Sequence, residues 1–472
     1  MKPADLSQPG KRPGRRIARP WLQLLTGASL LLGSAFSAFA DTGPLTLSVE
    51  EMRAAATASL QARNPEQALM LTDALIARDP GDVEALVLKS RALRDMGRFD
   101  EATDIAREAY GKAETDQEIF AAAMVRAQAL ASNGARTRAQ LWLRMAGQHA
   151  PNEQARAQAV RDFRYVRSRN KWSTSLSFSV APSSNVNDGS THDRISFGGL
   201  QGVVLSGAAR ALSGLEFSAG ATTGYRFSEG KNHSTEVGLH LYHETYILSD
   251  EAKEIAPDAK GSDFAYSSVA VGLRHQFRLD DWNTPMELSV LTGRGWYGGE
   301  DYSRYTRTSV AKAFLLGKGN ILRVSAGGET FNRVWDDASS HTLHTNAIWL
   351  REFDNGAGLR LSLGVRDTRS DLDSLDYLRK IGGFGYTLPK PVGPALATLM
   401  LDFEEKTYEE YPFEVDGRED LRATAGVRFL FERMDYYGFV PTVTISHAEN
   451  RSTSDRYDTV ETGVKVGFLS AF

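Results

Sequence analysis

Nine histidines and many carboxylates give this chain of 472 residues the raw material for catalysis or metal binding, but their spacing does not assemble it. His240 and His243 lie three apart in a segment that alternates like a strand. Their side chains therefore leave opposite faces and make a poor metal pair. The acid pairs Glu404-Glu405 and Glu409-Glu410 read most simply as wall or loop charges. No G-x-S-x-G, H-E-x-x-H or phosphate-cradling Gly-rich loop is present. The chain has no cysteine, which removes disulfides and thiolate metal ligands. Neither an enzyme nor a cofactor or metal site is expected, although sequence leaves open a Ser/His/Asn arrangement assembled only by the fold. A net charge of −4 gives no footprint for nucleic acid. What remains is a set of charges spaced at every second residue among apolar ones: Arg360, Arg366, Asp402, Glu404, Arg428 and Lys465. Both signs occur, as suits the polar wall of a channel.

The elements that hold those charges alternate with a period of two. Leu359, Leu361, Leu363 and Val365 are interleaved with Arg360, Ser362, Gly364 and Arg366. Leu421, Ala423, Ala425, Val427 and Phe429 are interleaved with Arg422, Thr424, Gly426 and Arg428. The last segment places Val460, Thr462, Val464, Val466, Phe468 and Phe472 on one face, with Glu461, Gly463, Lys465 and Gly467 on the other. A half-exposed soluble sheet alternates too, but three features favour a membrane. The pattern recurs from about 172 to 472 without a helix. Segments run about 10–14 residues, against about 5–6 in soluble sheets and about 9–11 for a tilted spanning strand. Aromatic residues sit at segment ends, where interfacial girdles belong: Trp296, Tyr297 and Tyr302; Tyr408 and Tyr411; Tyr436, Tyr437 and Phe439; Tyr457. The negative mean hydropathy, −0.34, is compatible with such a barrel, because its strands average apolar and polar faces.

Counting back from Phe472 gives segments at 457–468, 438–448, 420–432, 395–408, 374–386, 357–369, 341–353, 320–332, 303–316, 284–295, 264–278, 235–248 and 213–227. Trp172–Val180 completes a count of 14. Short turns such as Gly317-Lys318-Gly319 and Asp354-Asn355-Gly356 alternate with longer loops at 249–263, 409–419 and 448–456. Residues 194–205 could add a fifteenth strand, but bacterial barrels have even counts, so they are assigned to an outer loop or an inward fold. Phe468 and terminal Phe472, in phase with the apolar face, are read as the assembly signal by which barrel-assembly machinery inserts the protein.

Residues 48–168 are instead Ala-, Arg-, Leu- and Glu-rich with helical spacing. Ser48 and Glu51 have capping-box spacing. A repeat follows: Gly97, Phe99, Ala102, Ala106 and Ala109 echo Pro65, Ala68, Thr72 and Leu75 before them, and Gly134, Ala139, Leu143 and Ala146 after them. Small residues at Ala68, Ala102 and Ala139 let paired helices approach, and Gly97 and Gly134 permit the turns. The pattern resembles about three tetratricopeptide repeats, with Met52, Leu86 and Ala123 at the aromatic positions of the first helices and no proline ending the middle copy. A generic Ala-rich bundle remains the alternative; either is an α-solenoid-like module with a concave face for a partner. In the middle copy that face would carry Glu84, Leu88, Arg91, Arg94 and Asp95. A last helix, 152–169, has Val160, Phe163 and Val166 on one side and Arg156, Arg161, Arg164, Arg167 and Arg169 on the others. It is read as a capping helix, or as one that turns arginines toward lipid phosphates.

The N-terminus reads as a secretory signal peptide. Lys2, Lys11, Arg12, Arg15, Arg16 and Arg19 form the basic region, Trp21–Phe36 is largely apolar, and Ala38-Phe39-Ala40 precedes Asp41. Twin-arginine export through Arg15-Arg16 is discounted, since barrels travel unfolded. The expected organisation is therefore a signal peptide (1–40), a periplasmic helical domain (41–170) and an outer-membrane barrel of 14 antiparallel strands (171–472).

At the start of that barrel stands Ala181-Pro182-Ser183-Ser184-Asn185-Val186-Asn187, and Arg210-Ala211-Leu212-Ser213-Gly214 precedes the next strand. These stretches resemble the surface lipoprotein assembly modulator family, which pairs a periplasmic tetratricopeptide domain with a 14-stranded barrel. The resemblance covers the mature chain in architecture and these stretches in motif. It implies export of particular lipoproteins, or soluble relatives, with the client protein received by the helical domain and lipid around the barrel. Physically, Pro182 should end strand pairing, and Asn185 and Asn187 suit a tight turn bonded to its own backbone. Two other functions stay open: an exopolysaccharide exporter, which expects a longer repeat array and a larger barrel, and a porin with a binding module.

Overall fold

A computed structural model describes residues 47–197, 200–412, 416–434, 436–437 and 439–470. The signal-peptide residues and Phe472 lie outside the described residues.

Helix starts follow the local capping chemistry. Ser48 and Glu51 form the expected reciprocal box ahead of α1 (Val49–Gln61). Asn64 caps α2 (Pro65–Arg78), whose first residue is a proline, where no N–H is needed. Asp82 caps α3 (Val83–Asp95), and α4 (Phe99–Lys112) follows. Thr115 caps α5 (Asp116–Ser132); α6 (Arg136–Gln148) and α7 (Glu153–Arg169, capped by Asn152) complete the seven helices described before the barrel. Gly97 (φ 79°) and Gly134 (φ 80°) sit in the turns inside the second and third pairs, in a left-handed conformation costly to other residues. Ala68, Ala102 and Ala139 are wholly buried where paired helices touch. The arrangement is the tetratricopeptide-like solenoid expected. Successive repeats are also tied by polar pairs 33 residues apart: Asn133 to Asp100 (2.7 Å), His149 to Asp116 (2.8 Å) and Asn170 to Thr137 (3.0 Å).

From Trp172 the chain is strand: β1 (Trp172–Ser183), β2 (Arg194–Phe197), β3 (Leu200–Val204), β4 (Gly214–Glu229), β5 (His233–Leu248), β6 (Tyr266–Phe277), β7 (Met286–Tyr297) and β8 (Glu300–Gly317). It continues with β9 (Asn320–Arg333), β10 (Ser339–Glu352), β11 (Gly358–Ser370), β12 (Tyr377–Thr387), β13 (Leu396–Tyr408), β14 (Arg418–Leu430), β15 (Phe439–Ser452) and β16 (Thr459–Ser470). Among the described residues, β1 and β4–β16 close into an antiparallel barrel of 14 strands, and β2–β3 form a separate hairpin in the long loop after β1. The segment at 194–205 is thus outside the barrel wall. Barrel strands run 11–18 residues, long enough to span hydrocarbon. No described helix is long and apolar enough to cross a membrane.

Register fixes which side chains face in. Glu404 opposes Arg422, and Asp402 opposes Thr424, on the same side as the ion pairs of the lumen. The other phase carries a belt of exposed apolar groups, including Phe178 (52%), Leu343 (72%), Leu363 (70%) and Phe403 (57%). A belt this continuous would not survive in water and is matched to lipid. The expected aromatic girdle needs one correction. Tyr408, Tyr411 and Tyr457 do not face lipid but gather round the buried Arg418 guanidinium, at 3.9, 4.7 and 3.8 Å. The reason is phase: Tyr408 pairs directly with Arg418 on the inward face.

Leu363 lies near the middle of β11, so Leu363→Arg should cost about 2–4 kcal/mol of barrel stability, the usual toll for a midplane charge. The neighbouring inward Ser362→Arg should cost less than half of that. Urea-titrated folding into phosphatidylcholine vesicles measures both.

Candidate functional site

Two grooves and one junction concentrate the polar side chains. In the helical module a cavity of about 640 Å³ opens beside α3, lined by Arg53, Asp82, Glu84, Leu88, Arg91 and Gln117. A second, of about 360 Å³, continues from Arg91 to Arg94, Phe120, Gln128 and Gln158. Arg53 bridges Asp82 (2.8 Å) and Glu84 (3.3 Å), and its hydrogen bond to Asp82 holds its pKa above the usual value. At the groove edge the backbone N–H groups of Glu114 and Thr115 hold the Glu118 carboxyl below the ordinary carboxylate range. The structure therefore places Glu84, Arg91 and Arg94 on this surface. Leu88 reaches its floor but is 4% exposed and packs with Ala56, Leu60, Ala68 and Ala92. Asp95 lines neither cavity; it pairs with Arg94 at 2.8 Å.

The junction lies where α6 and α7 meet the barrel mouth. Helix α7 buries Ala159, Phe163 and Val166 against α5 and α6, so it caps the solenoid, while Arg161, Arg164 and Arg169 are exposed. The Arg144 guanidinium sits 5.3 Å from the Phe163 ring and 5.3 Å from Phe439 at the start of β15. Gln148 accepts a hydrogen bond from the Tyr437 N–H in the preceding loop (3.3 Å). Asn170, 7% exposed, donates to Thr137 in α6 and accepts from the Trp172 N–H (3.2 Å), joining module to first strand. Between them is a vestibule of about 590 Å³. Gln140, Arg144 and Arg167 line its helical side; Ser173, Ser175, Arg226, Glu236, His240, Arg274 and Arg307 line its barrel side. Cations outnumber carboxylates there. Arg307 pairs with Glu329 (2.5 Å), and Arg274 stands 3.8 Å from both Glu236 and Glu287.

Deeper in the lumen the charges expected from sequence keep their inward phase. Glu404 pairs with Arg379, and Lys465 reaches Glu216 of β4 at 2.9 Å. Asp402 opposes Gly383 and Arg428 opposes Thr398 across β13. Arg360 and Arg366 face in on β11, opposite Leu350 and His344. These six line the wall but form no single cluster. Phe468 stands on the outward face, 43% exposed, paired with Phe178.

The motif after β1 departs from the simple turn expected of it. Pro182 does not end pairing with β4, which continues to Ser183 opposite Gly214; on the β16 side the ladder stops at Val180. Asn185 is local: its amide brackets Gly189 with bonds of 2.8 and 2.9 Å. Asn187 is not. It donates to the carbonyls of Ala208 (2.7 Å) and Arg210 (2.9 Å) and accepts from the Leu212 N–H (2.9 Å). The chain passes Arg210 so closely that a Cβ on Gly189 would lie 2.3 Å from its carbonyl oxygen. The motif thus pins a 30-residue loop to its own far end, a pairing over a sequence distance that no local signal announces.

A family model described as surface lipoprotein assembly modifier matches residues 172–472. No curated protein matches the chain. Among solved structures, the type III secretion translocator chaperone SycD of Yersinia enterocolitica is similar to part of the chain (17% identity, 26% of this chain and 88% of that one, TM-score 0.23). So is the TPR2B domain of yeast Sti1 (18% identity, 26% and 97%, TM-score 0.24). The outer membrane protein opdK of Pseudomonas aeruginosa is similar over 63% of this chain and 98% of that one (9% identity, TM-score 0.33).

Asn187→Asp keeps the acceptor for Leu212 and loses both donated bonds, at about 1 kcal/mol each. The loop 184–213 should then be cut faster by added protease, while the barrel keeps its heat-resistant migration on gels.

Proposed function

The chain belongs to the surface lipoprotein assembly modifier family, and on that premise we propose that it exports surface lipoproteins, or related clients, across the outer membrane. In this reading the helical module lies in the periplasm and receives the client. The observation that carries it is the vestibule shared by α6, α7 and the strand ends, which leads from the module into the lumen. Its volume is that of a small-ligand pocket, about 300–1,000 Å³. A client passes it as extended chain and not as a folded domain.

The groove beside α3 supplies a surface for capture. Arg91 and Arg94 lie on it with Glu84, a mixed-charge strip suited to orienting a polar segment. The polar, both-signed lumen lets a peptide slide without one strong trap. An acyl anchor is another matter. Each CH₂ it hides from water is worth about 0.8 kcal/mol, so the anchor seeks lipid throughout. The partners are then the client, outer-membrane lipid and, during insertion, the barrel-assembly machinery.

Co-expression of the chain with a lipoprotein encoded beside it tests the reading. Surface exposure of the lipoprotein, measured by antibody on intact cells, should depend on the chain; equal exposure without it ends the proposal. Arg91→Glu with Arg94→Glu should weaken client capture by about 1–3 kcal/mol, roughly the scale of losing key contacts at a binding surface. Pull-down of client by the full-length protein reads this.

A further inference from the structure

Lys312 of β8 stands on the lipid-facing side of the wall, and nothing in the wall neutralises it. Its phase follows from register: Met286 lies beside it on β7 and Val324 on β9, in a row with Phe277 of β6. Among the described residues it makes no ion pair; its ammonium rests 2.9 Å from the Trp282 ring centre and 5.8 Å from that of Phe314. Arg351, outward at the same end of β10, rests likewise on Phe353 (4.7 Å). Outward charges toward the far end of the wall are matched within the protein, as Lys380 is by Glu405 (2.9 Å) and Arg451 by Glu449 (2.7 Å). A lone charge against hydrocarbon is costly, least so at the interface. Ring faces lessen that cost, but only an anion cancels the charge.

Next to Lys312 a groove of about 610 Å³ runs along the outer wall. Leu288, Val310 and Ala326 make its nearer row, and Leu273, Val290 and Thr308 the farther one. Thr308 and Ala326 are short, and Gly328 beside them has no side chain. The floor therefore sinks between Leu288 and Val290 on one side and Leu343, 72% exposed and paired with Gly328, on the other. His275, at the edge, is engaged with the Thr235 hydroxyl (2.9 Å), so the lining is nearly all apolar. The Lys312 row is the one at the module's end of the wall, where β6 ends and β7 begins. Successive rows on one face are about 7 Å apart, so a chain lying in the groove has its head within reach of Lys312.

We propose that this groove seats a glycerophospholipid of the leaflet on the module's side, with one acyl chain along Val310 and Thr308 and its phosphate against Lys312. The site goes beyond the export reading and needs no client, only a wall that stands in a membrane. It also backs onto the vestibule, since Leu273, Ser289 and Val290 line both. A seated lipid thus braces the stretch of wall that the module faces.

Because the chain has no native cysteine, a single cysteine can carry the probe. Val324→Cys, beside Lys312, is labelled with bimane in the full-length protein in phosphatidylcholine vesicles. Leu399→Cys, outward on β13, is the control; the two native side chains are 40% and 43% exposed. Dibrominated phosphatidylglycerol or dibrominated phosphatidylcholine is then added at rising mole fraction, and quenching reads which lipid lies beside the probe. Beside Lys312 the anionic lipid should be favoured about fivefold, the weight of one Lys near acidic lipid. At the control position the two lipids should quench alike. Lys312→Gln should remove the preference and Lys312→Arg should keep it. Ala326→Phe, which fills the floor, should remove most of it with Lys312 in place. Equal quenching by the two lipids beside Lys312 overturns the site, and that comparison requires no change at Lys312 or in the groove. A preference that survives Lys312→Gln overturns it too. A preference untouched by Ala326→Phe in a variant that keeps its heat-resistant migration overturns the seated chain and leaves only headgroups drawn to a surface charge.

Discussion

Hydrocarbon gives a backbone N–H no partner but another backbone, and that constraint organises everything from Trp172 onward. It requires long strands, closes them into a ring, and sends apolar and polar side chains to opposite faces of one wall. Among the described residues, thirteen of the fourteen junctions are zipped over 10 to 15 register positions. Side chains and loops add to the ladder between β1 and β16, through Lys465 and Glu216 within and Asp455 and Asp458 without.

The helical module obeys a different rule. It is wet on its outer faces, and its stability comes from small residues that let helices touch, as at Ala68, Ala102 and Ala139. Polar ties spaced by one repeat lock the turns of the superhelix. The last of these ties, Asn170 to Thr137, is also the first contact of the barrel, because the same side chain accepts from Trp172. One buried amide thus ties the solenoid to the root of the first strand, beside the contacts of Gln148 with Tyr437 and of Arg144 with Phe439.

Features of short sequence range were legible in advance. The capping box at Ser48, the turns at Gly97 and Gly134, and the strand phases of Arg360, Asp402 and Lys465 all follow from periods of two or 3.6 residues. Even the hairpin at 194–204 was separable from the wall by strand parity alone. What escaped is what tertiary closure brings together. Tyr408, Tyr411 and Tyr457 looked like a girdle because their positions at strand ends are right; only the direct pairing of Tyr408 with Arg418 turns them inward. Leu88 looked like a groove residue because its helix face is right; the neighbouring helix covers it. Asn187 looked like a turn residue because its chemistry is right; its partners lie some 21 to 25 residues away.

An even number of strands returns the end of β16 to the side of the membrane from which β1 began. Chain order bears on how such a ring can close. The helices precede the wall in the chain, and Asn170 fastens the root of β1 to them, so the first strand has a fixed anchorage before the last one arrives. The closing strand then docks on an edge whose position is already set by a folded body, and closure becomes a search by one partner instead of two. The solenoid would in that way also serve as the jig on which the ring is completed.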